Sequence, residues 1–211
     1  MQPAPDKLFS RAEFVASAGT PREFPVEGIA EVAFVGRSNV GKSTAINALV
    51  GRRRLAFVAK TPGRTQTVNF YDLAGAGRLV DLPGYGYARV PKSVQAGWDG
   101  LVGGYLSARN SLAGIVVLLD SRHPLTPQDQ RLLGWLRPFG IRQLILLTKS
   151  DKLSRSEANA LLKETQSKLP YVEAVVLFSS ITGAGIEQVR EHLANWLLAG
   201  DAAAGNKRPP A

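Results

Sequence analysis

Three short segments carry residue types that could do phosphate and purine chemistry. The first, GRSNVGKS at Gly36–Ser43, fits the spacing G-x-x-x-x-G-K-[ST]. Its glycines let the backbone curl until main-chain N–H groups converge on one point, and a helix beginning there adds partial positive charge. A nucleotide β-phosphate suits that point, so Gly36, Arg37, Ser38, Asn39, Val40, Gly41, Lys42, Ser43 and Thr44 form a candidate cradle. Lys42 is placed to bridge β- and γ-phosphate oxygens, and the Ser43 hydroxyl to ligate Mg²⁺. The second segment is DLPG: Asp81, Leu82, Pro83 and Gly84. A carboxylate ending a strand beside such a loop suits Mg²⁺, directly or through water, and Gly84 lets a backbone N–H approach the γ-phosphate. DLPG alone is a weak signal; paired with the loop it is a strong one. The third is TKSD: Thr148, Lys149, Ser150 and Asp151. The Asp151 carboxylate can accept from guanine N1–H and the 2-amino group, an arrangement adenine does not offer. Lys149 can lay its apolar stem along the base plane. Taken alone, TKSD reads more readily as a turn capping the next helix; at a third strand end beside a phosphate loop the guanine reading prevails.

Such residues work only at the ends of well-placed strands. Runs rich in β-formers fall at 31–36, 68–73, 78–82, 114–120, 143–148 and 174–178. The last three are continuously apolar, as strands covered on both faces must be. Residues 68–73 and 78–82 flank AGAG and are expected to pair as an antiparallel hairpin at one edge. Thr126 before Pro127 and Asp129 starts a helix, Ser154 with Glu157 makes a capping box, and Pro170 stops the helix that box begins. Ile186, Val189, Leu193, Trp196 and Leu197 form one stripe at helical spacing. Gly97, Gly100, Gly103 and Gly104 argue against a settled helix over 91–109 and for a mobile one, each costing about 1 kcal/mol relative to alanine. The pattern predicts an α/β fold: a three-layer domain with a mostly parallel six-stranded sheet, one antiparallel edge strand and helices on both faces.

At 211 residues the chain suits one domain, here 25–199, with an N-terminal extension over 1–24 and a disordered tail over 200–211. The extension reads as a loosely attached leader with one helical turn between Leu8 and Val15. The absence of cysteine excludes disulfide scaffolds, thiolate zinc sites, iron–sulfur clusters and cysteine nucleophiles. The longest apolar run, Leu112–Leu119, is far short of the roughly 18 residues a membrane span needs, and a cytoplasmic protein without membrane partners is expected. The net charge is +9. Between Glu31 and Asp72 lie Arg37, Lys42, Arg52, Arg53, Arg54, Lys60 and Arg64 without one acid. That points to a polyanion, phosphate or nucleic acid, against the plainer reading of a solvated basic face. His123 and His192 have no metal spacing, and Trp135 and Trp196 read as packing residues; Trp98 alone is a candidate for partner contact. Asp120 and Arg122 read as a local pair without a chemical task.

GRSNVGKS, TPGRTQTVNFY, DLPGYGYA, LLDSRHPLTPQDQ, LTKSDKL and FSS, in this order, resemble the EngB (YihA/YsxC) family of ribosome-assembly GTPases, of the translation-factor-related class. The resemblance runs over about Leu8–Leu198, and DLPGYGYA with GRTQT is its most specific part. It implies GTP or GDP as ligand, Mg²⁺ as cofactor, and a cytoplasmic protein acting on the large ribosomal subunit and its RNA; a monomer is expected. On residue type Thr61, Thr65 and Thr67 are equal candidates for a switch threonine; the resemblance implies Thr65, with Gly63, Arg64, Gln66 and Thr67 around it, as Mg²⁺ ligand and γ-phosphate contact. It likewise implies that Phe178, Ser179 and Ser180 hold the guanine edge, chiefly through backbone groups. Loss of the γ-phosphate would release segments 58–67 and 84–104. Where small GTPases carry a water-orienting glutamine this chain has Tyr85, which implies slow unaided hydrolysis. Asn39 matches the asparagine that coordinates K⁺ in potassium-stimulated relatives. The competing reading is a nucleotide-gated module that binds ribosomal RNA, with hydrolysis incidental.

Overall fold

EVAFVG is buried at all six positions and forms β2 (Glu31–Gly36) at the centre of a sheet. A strand enclosed on both faces needs apolar side chains in both directions, and its neighbours β5 (Leu112–Asp120) and β6 (Gln143–Thr148) meet the same demand. The computed structural model describes residues 5–56, 67–85 and 92–199, with only the backbone of 92–99. The expectations for Thr61, Gly63, Arg64, Thr65 and Gln66, for the Trp98 side chain and for the tail lie outside the described residues.

β4 (Arg78–Asp81) and β5 flank β2 in parallel, β6 follows β5, and β7 (Ala174–Leu177) follows β6. β3 (Val68–Asp72) pairs antiparallel with β4, giving the expected hairpin. The sheet has seven strands where the sequence reading counted six, in the order β1-β3-β4-β2-β5-β6-β7. The added strand, β1 (Glu13–Ala18), runs antiparallel to β3, so the hairpin is not the edge and two pairings are antiparallel. The predicted turn within Leu8–Val15 is instead a helix ending earlier, α1 (Pro5–Phe9), followed by this strand. Leu8, Phe9 and Ala12 are buried in the core, so this segment is not a loose leader.

Alternation along the strands divides the core. Val32, Phe34, Val116, Leu118, Leu144 and Leu146 face α1, α2 (Lys42–Val50) and α6 (Ile186–Leu198). Ala33, Val35, Ile115, Val117, Ile145 and Leu147 face α3 (Lys92–Ala108), α4 (Pro127–Leu136) and α5 (Arg155–Lys168). The predicted capping box of Ser154 with Glu157 forms, and the expected helix start at Thr126 closes as a second box with Asp129. The glycine-rich stretch is helical as α3 despite its poor propensity, because burial of Leu101, Val102, Tyr105 and Leu106 against the sheet outweighs the cost of its glycines. A Cβ on Gly103 would touch Trp135 and one on Gly104 would touch Pro21. None of the helices among the described residues is long and apolar enough to cross a membrane.

Parallel pairing fixes where the chemistry can be. The register sets Phe34 opposite Asp81, Gly36 opposite Leu118, and Asp120 opposite Thr148. The carboxyl ends of β2, β4, β5 and β6 therefore open at the same end of the sheet, where α/β sheets bind ligands.

Candidate nucleotide site

The loop after β2 turns through two left-handed residues, Asn39 at φ 64° and Gly41 at φ 100°. Any residue with a side chain is strained at the second, which is why the spacing demands glycine there. At Gly36 a Cβ would stand 2.7 Å from Val40 Cγ1 and 3.1 Å from the Leu118 carbonyl oxygen, so only glycine lets the loop fold back on the strand. Val40 N–H donates to the Arg37 carbonyl, and α2 starts at Lys42 with no side chain capping its first turn. Helix-start amides left uncapped by the protein are suited to an anion.

Asp81 ends β4, nearly buried, and its carboxylate pairs with the Lys42 ammonium. Leu82 N–H continues the ladder to the Phe34 carbonyl at 3.0 Å. Gly84 lies against the loop, where a Cβ would be 3.4 Å from Ser38. Tyr85 then pairs with the loop itself: its N–H donates to the Gly36 carbonyl at 3.3 Å and its carbonyl accepts from Ser38 N–H at 3.0 Å. The Tyr85 hydroxyl donates to Asp129 Oδ1 at 2.6 Å, and Arg37 Nε lies 3.5 Å from the same oxygen. Burial first, then the Asp129 carboxylate, pushes the phenol far above its ordinary pKa, so it is protonated at neutral pH. The Arg37 side chain thus goes to Asp129, leaving its main chain to the cradle.

At the end of β6 the Thr148 hydroxyl donates to the Val40 carbonyl at 2.8 Å, tying this strand to the phosphate loop. Lys149 is left-handed at φ 59°, and its ammonium reaches the Asn39 carbonyl at 3.0 Å and Asp120 Oδ2 at 2.8 Å. Asp151 accepts from the Ser179 hydroxyl at 2.6 Å, the main cause that its carboxyl is held below the usual carboxylate range. Ser179 is fully buried and its oxygen also accepts from the N–H groups of Ile181 and Thr182. Ser150 N–H donates to the Phe178 carbonyl, which brings the FSS loop beside TKSD. Gly36–Thr44, Asp81–Gly84, Thr148–Asp151 and Phe178–Ser180 therefore form one contiguous group. Thr67 stands apart, its hydroxyl meeting Asn69 at the start of β3.

Three residues outside the motifs support the site or the loops around it through contacts that the sequence does not reveal. Asp120 receives both Lys149 and a two-pronged contact from Arg122, at 2.9 and 2.7 Å. Asp129 joins Tyr85 and Arg37 while capping α4. Asn47 holds the loop after α2, accepting from Leu55 and Ala56 N–H and donating to the Ala56 carbonyl. Asp120 could have been read from its place at the end of the strand beside TKSD; the Asn47 contacts and the reach of Asp129 to Tyr85 have no local signature.

The Asp81 carboxylate pairs with Lys42, the residue before Ser43 at an uncapped helix start, and the hard oxygen donors of Ser43 and Asp81 are of the type that suits Mg²⁺.

Comparison with known proteins agrees with this geometry. A family model described as 50S ribosome-binding GTPase matches residues 31–149. The "Probable GTP-binding protein EngB" of Dechloromonas aromatica is 47% identical over 208 residues, 96% of this chain and 94% of that protein. Its counterpart in Azoarcus sp. is 49% identical over 195 residues, 90% and 93% of the two chains. The crystal structure of a probable GTP-binding protein engB superposes at a TM-score of 0.65 with 23% identity, covering 80% of this chain and 98% of that one. Era in complex with MgGDPNP and part of 16S ribosomal RNA superposes at 0.61 with 21% identity, covering 82% and 58%, a likeness of fold.

Proposed function

This chain belongs to the EngB family of GTP-binding proteins, and from that premise we propose that it is a cytoplasmic, Mg²⁺-dependent GTP-hydrolysing switch used in assembling the large ribosomal subunit. The observation that carries the reading is the convergence of three strand ends: the phosphate loop, the Asp81–Gly84 turn and the Thr148–Asp151 turn, joined by Lys42–Asp81, Thr148–Val40 and Lys149–Asn39 contacts.

In this reading the loop amides and Lys42 bind the β- and γ-phosphates, and Gly84 N–H meets the γ-phosphate. Ser43 and Asp81, the latter through water, and Thr65 would hold Mg²⁺, which neutralises charge on the phosphate oxygens when bound. A water oxygen bonds to the γ-phosphorus as the bond to the β–γ bridging oxygen breaks, and GDP and phosphate leave. Asp151 accepts the guanine edge, with Ser179 orienting the carboxylate and Ser180 and Phe178 supplying backbone. Unaided turnover is slow because Tyr85 offers no amide to align water. This reading does not depend on a potassium ion at Asn39, whose main-chain carbonyl accepts from the Lys149 ammonium. The ribosomal partner is supported by the family description and by an Era neighbour bound to ribosomal RNA. A nucleotide-gated RNA-binding module with incidental hydrolysis is the second reading, favoured by the commitment of the Tyr85 hydroxyl to Asp129.

Asp151→Asn tests guanine recognition. GTP affinity should fall roughly two orders of magnitude, as loss of charge-assisted bonds worth about 1.5–3 kcal/mol each implies. Xanthosine triphosphate, whose edge inverts one donor, should bind better than to wild type. Unchanged guanine preference by fluorescent-nucleotide titration refutes the assignment.

A further inference from the structure

We propose that Tyr85 and Asp129 are positioning residues that hold Gly84 at the phosphate loop, and so set the preference for nucleoside triphosphate over diphosphate. The assignment rests on the GTP-binding reading and deepens it.

Asp129 is 1% exposed and uses its two oxygens differently. Oδ2 accepts from Thr126 N–H at 2.9 Å and the Thr126 hydroxyl at 2.7 Å, which completes the α4 cap. A cap needs no more than that. Oδ1 is aimed across the site, accepting from the Tyr85 hydroxyl at 2.6 Å with Arg37 Nε at 3.5 Å. A carboxylate accepting at that distance makes one of the stronger neutral-to-ion hydrogen bonds. Its position is fixed in turn, because the residue bearing it belongs to the first turn of a helix packed on the core through Leu132, Leu133 and Leu136.

Tyr85 is thereby held from two sides. Its main chain is bonded in both directions to Gly36 and Ser38, and its side chain is bonded to α4. Gly84 precedes it directly and lies close enough to Ser38 that a Cβ would be in contact. Any displacement of Tyr85 must carry the Gly84 N–H with it. A diphosphate presents nothing to that N–H, whereas a γ-phosphate does, so the clamp acts on the triphosphate complex alone. The phenol's single proton is donated to Asp129, so the residue standing where related GTPases have glutamine works through Gly84 and not on water.

Tyr85→Phe keeps the ring and deletes the bond. Titration of the full chain with GDP and with a non-hydrolysable GTP analogue should show GDP affinity within about twofold of wild type and analogue affinity lower by about 5–10-fold, the size of one buried hydrogen bond. Asp129→Asn should lower the same ratio, and the double variant Tyr85→Phe with Asp129→Asn should lower it no further than the larger single effect. Thermal midpoints measured alongside separate this from general loosening, which would weaken both nucleotides equally. An unchanged ratio in Tyr85→Phe, or equal losses for both nucleotides, overturns the proposal while leaving GTP binding intact. Failure of the wild-type protein to bind either nucleotide overturns the GTP-binding reading and this assignment together.

Discussion

Asp120 illustrates how a residue outside the three motifs can still order a site, through Lys149 and Arg122. Its carboxylate is nearly buried, which raises its pKa, but hydrogen bonds from Arg122 and Lys149 outweigh burial and hold it well below the usual carboxylate range. Because the folded value lies below the unfolded one, the ionised group stabilises the fold fully above about pH 4, its unfolded pKa, and loses that contribution as pH falls through the depressed folded value. In urea titrations, Asp120→Asn should therefore be less stable than wild type by a constant amount from neutral pH down to about pH 5, and the gap should close in stronger acid. A gap independent of pH would refute the ion-pair account. The sequence made the pair with Arg122 visible but not its tie to Lys149. Register alone places Asp120 opposite Thr148, and register is a property of the sheet. Lys42, Asp81 and Asp151 were legible because their chemistry is tied to fixed spacings. Asp129 was legible as a cap and hidden as a partner of Tyr85, 44 positions away.

The elements were legible in proportion to how completely each is buried. β2, β5 and β6 announce themselves as apolar runs, while β1 has Phe14 and Val15 exposed and an irregular pairing between Phe14 and Ala16, so neither alternation nor an unbroken run marks it. α3 was obscured by its glycines, and what fastens its far end is polar. Arg109, just past the helix, donates to the fully buried Glu31 at 3.1 and 2.7 Å, and the Tyr105 hydroxyl donates to the same carboxylate at 2.9 Å. Arg78 approaches it at 3.4 Å, and the Arg109 guanidinium lies over the Phe24 and Phe70 rings. The cluster joins the helix after the Asp81–Gly84 turn to the start of the strand that feeds the phosphate loop, at the opposite end of the sheet. Removing Arg109 leaves the buried Glu31 carboxylate to the more distant Arg78 cation and the Tyr105 hydroxyl. Arg109→Leu should thus cost about 3–5 kcal/mol in urea unfolding. Adding Glu31→Leu should recover part of that, since both charges are then gone; further destabilisation would show that the pair contributes net stability.

At the scale of the whole molecule, part of the positive charge behind the net +9 can be followed through the structure. Lys42 faces Asp81 and Arg37 faces Asp129, so these two cations are turned inward. Arg52, Arg53 and Arg54 are exposed, on a loop that Asn47 fastens to α2, the helix whose first turn borders the phosphate cradle. A cationic loop on the same rigid helix as the nucleotide loop would let RNA contact and nucleotide state influence one another. If ribosomal RNA is the partner, single-turnover GTP hydrolysis should be strongly stimulated by purified large subunits, and the stimulation should fall steeply with added salt as condensed counterions return to the RNA. Neutralising all three arginines should flatten the logarithmic salt dependence of subunit binding by roughly 0.7–0.9 for each RNA phosphate that the side chains had neutralised. Hydrolysis without subunits should be unaffected, because these side chains are outside the cradle. Stimulation that ignores salt would place the partner's docking face elsewhere, and no stimulation at all would favour the module whose nucleotide gates binding without turnover.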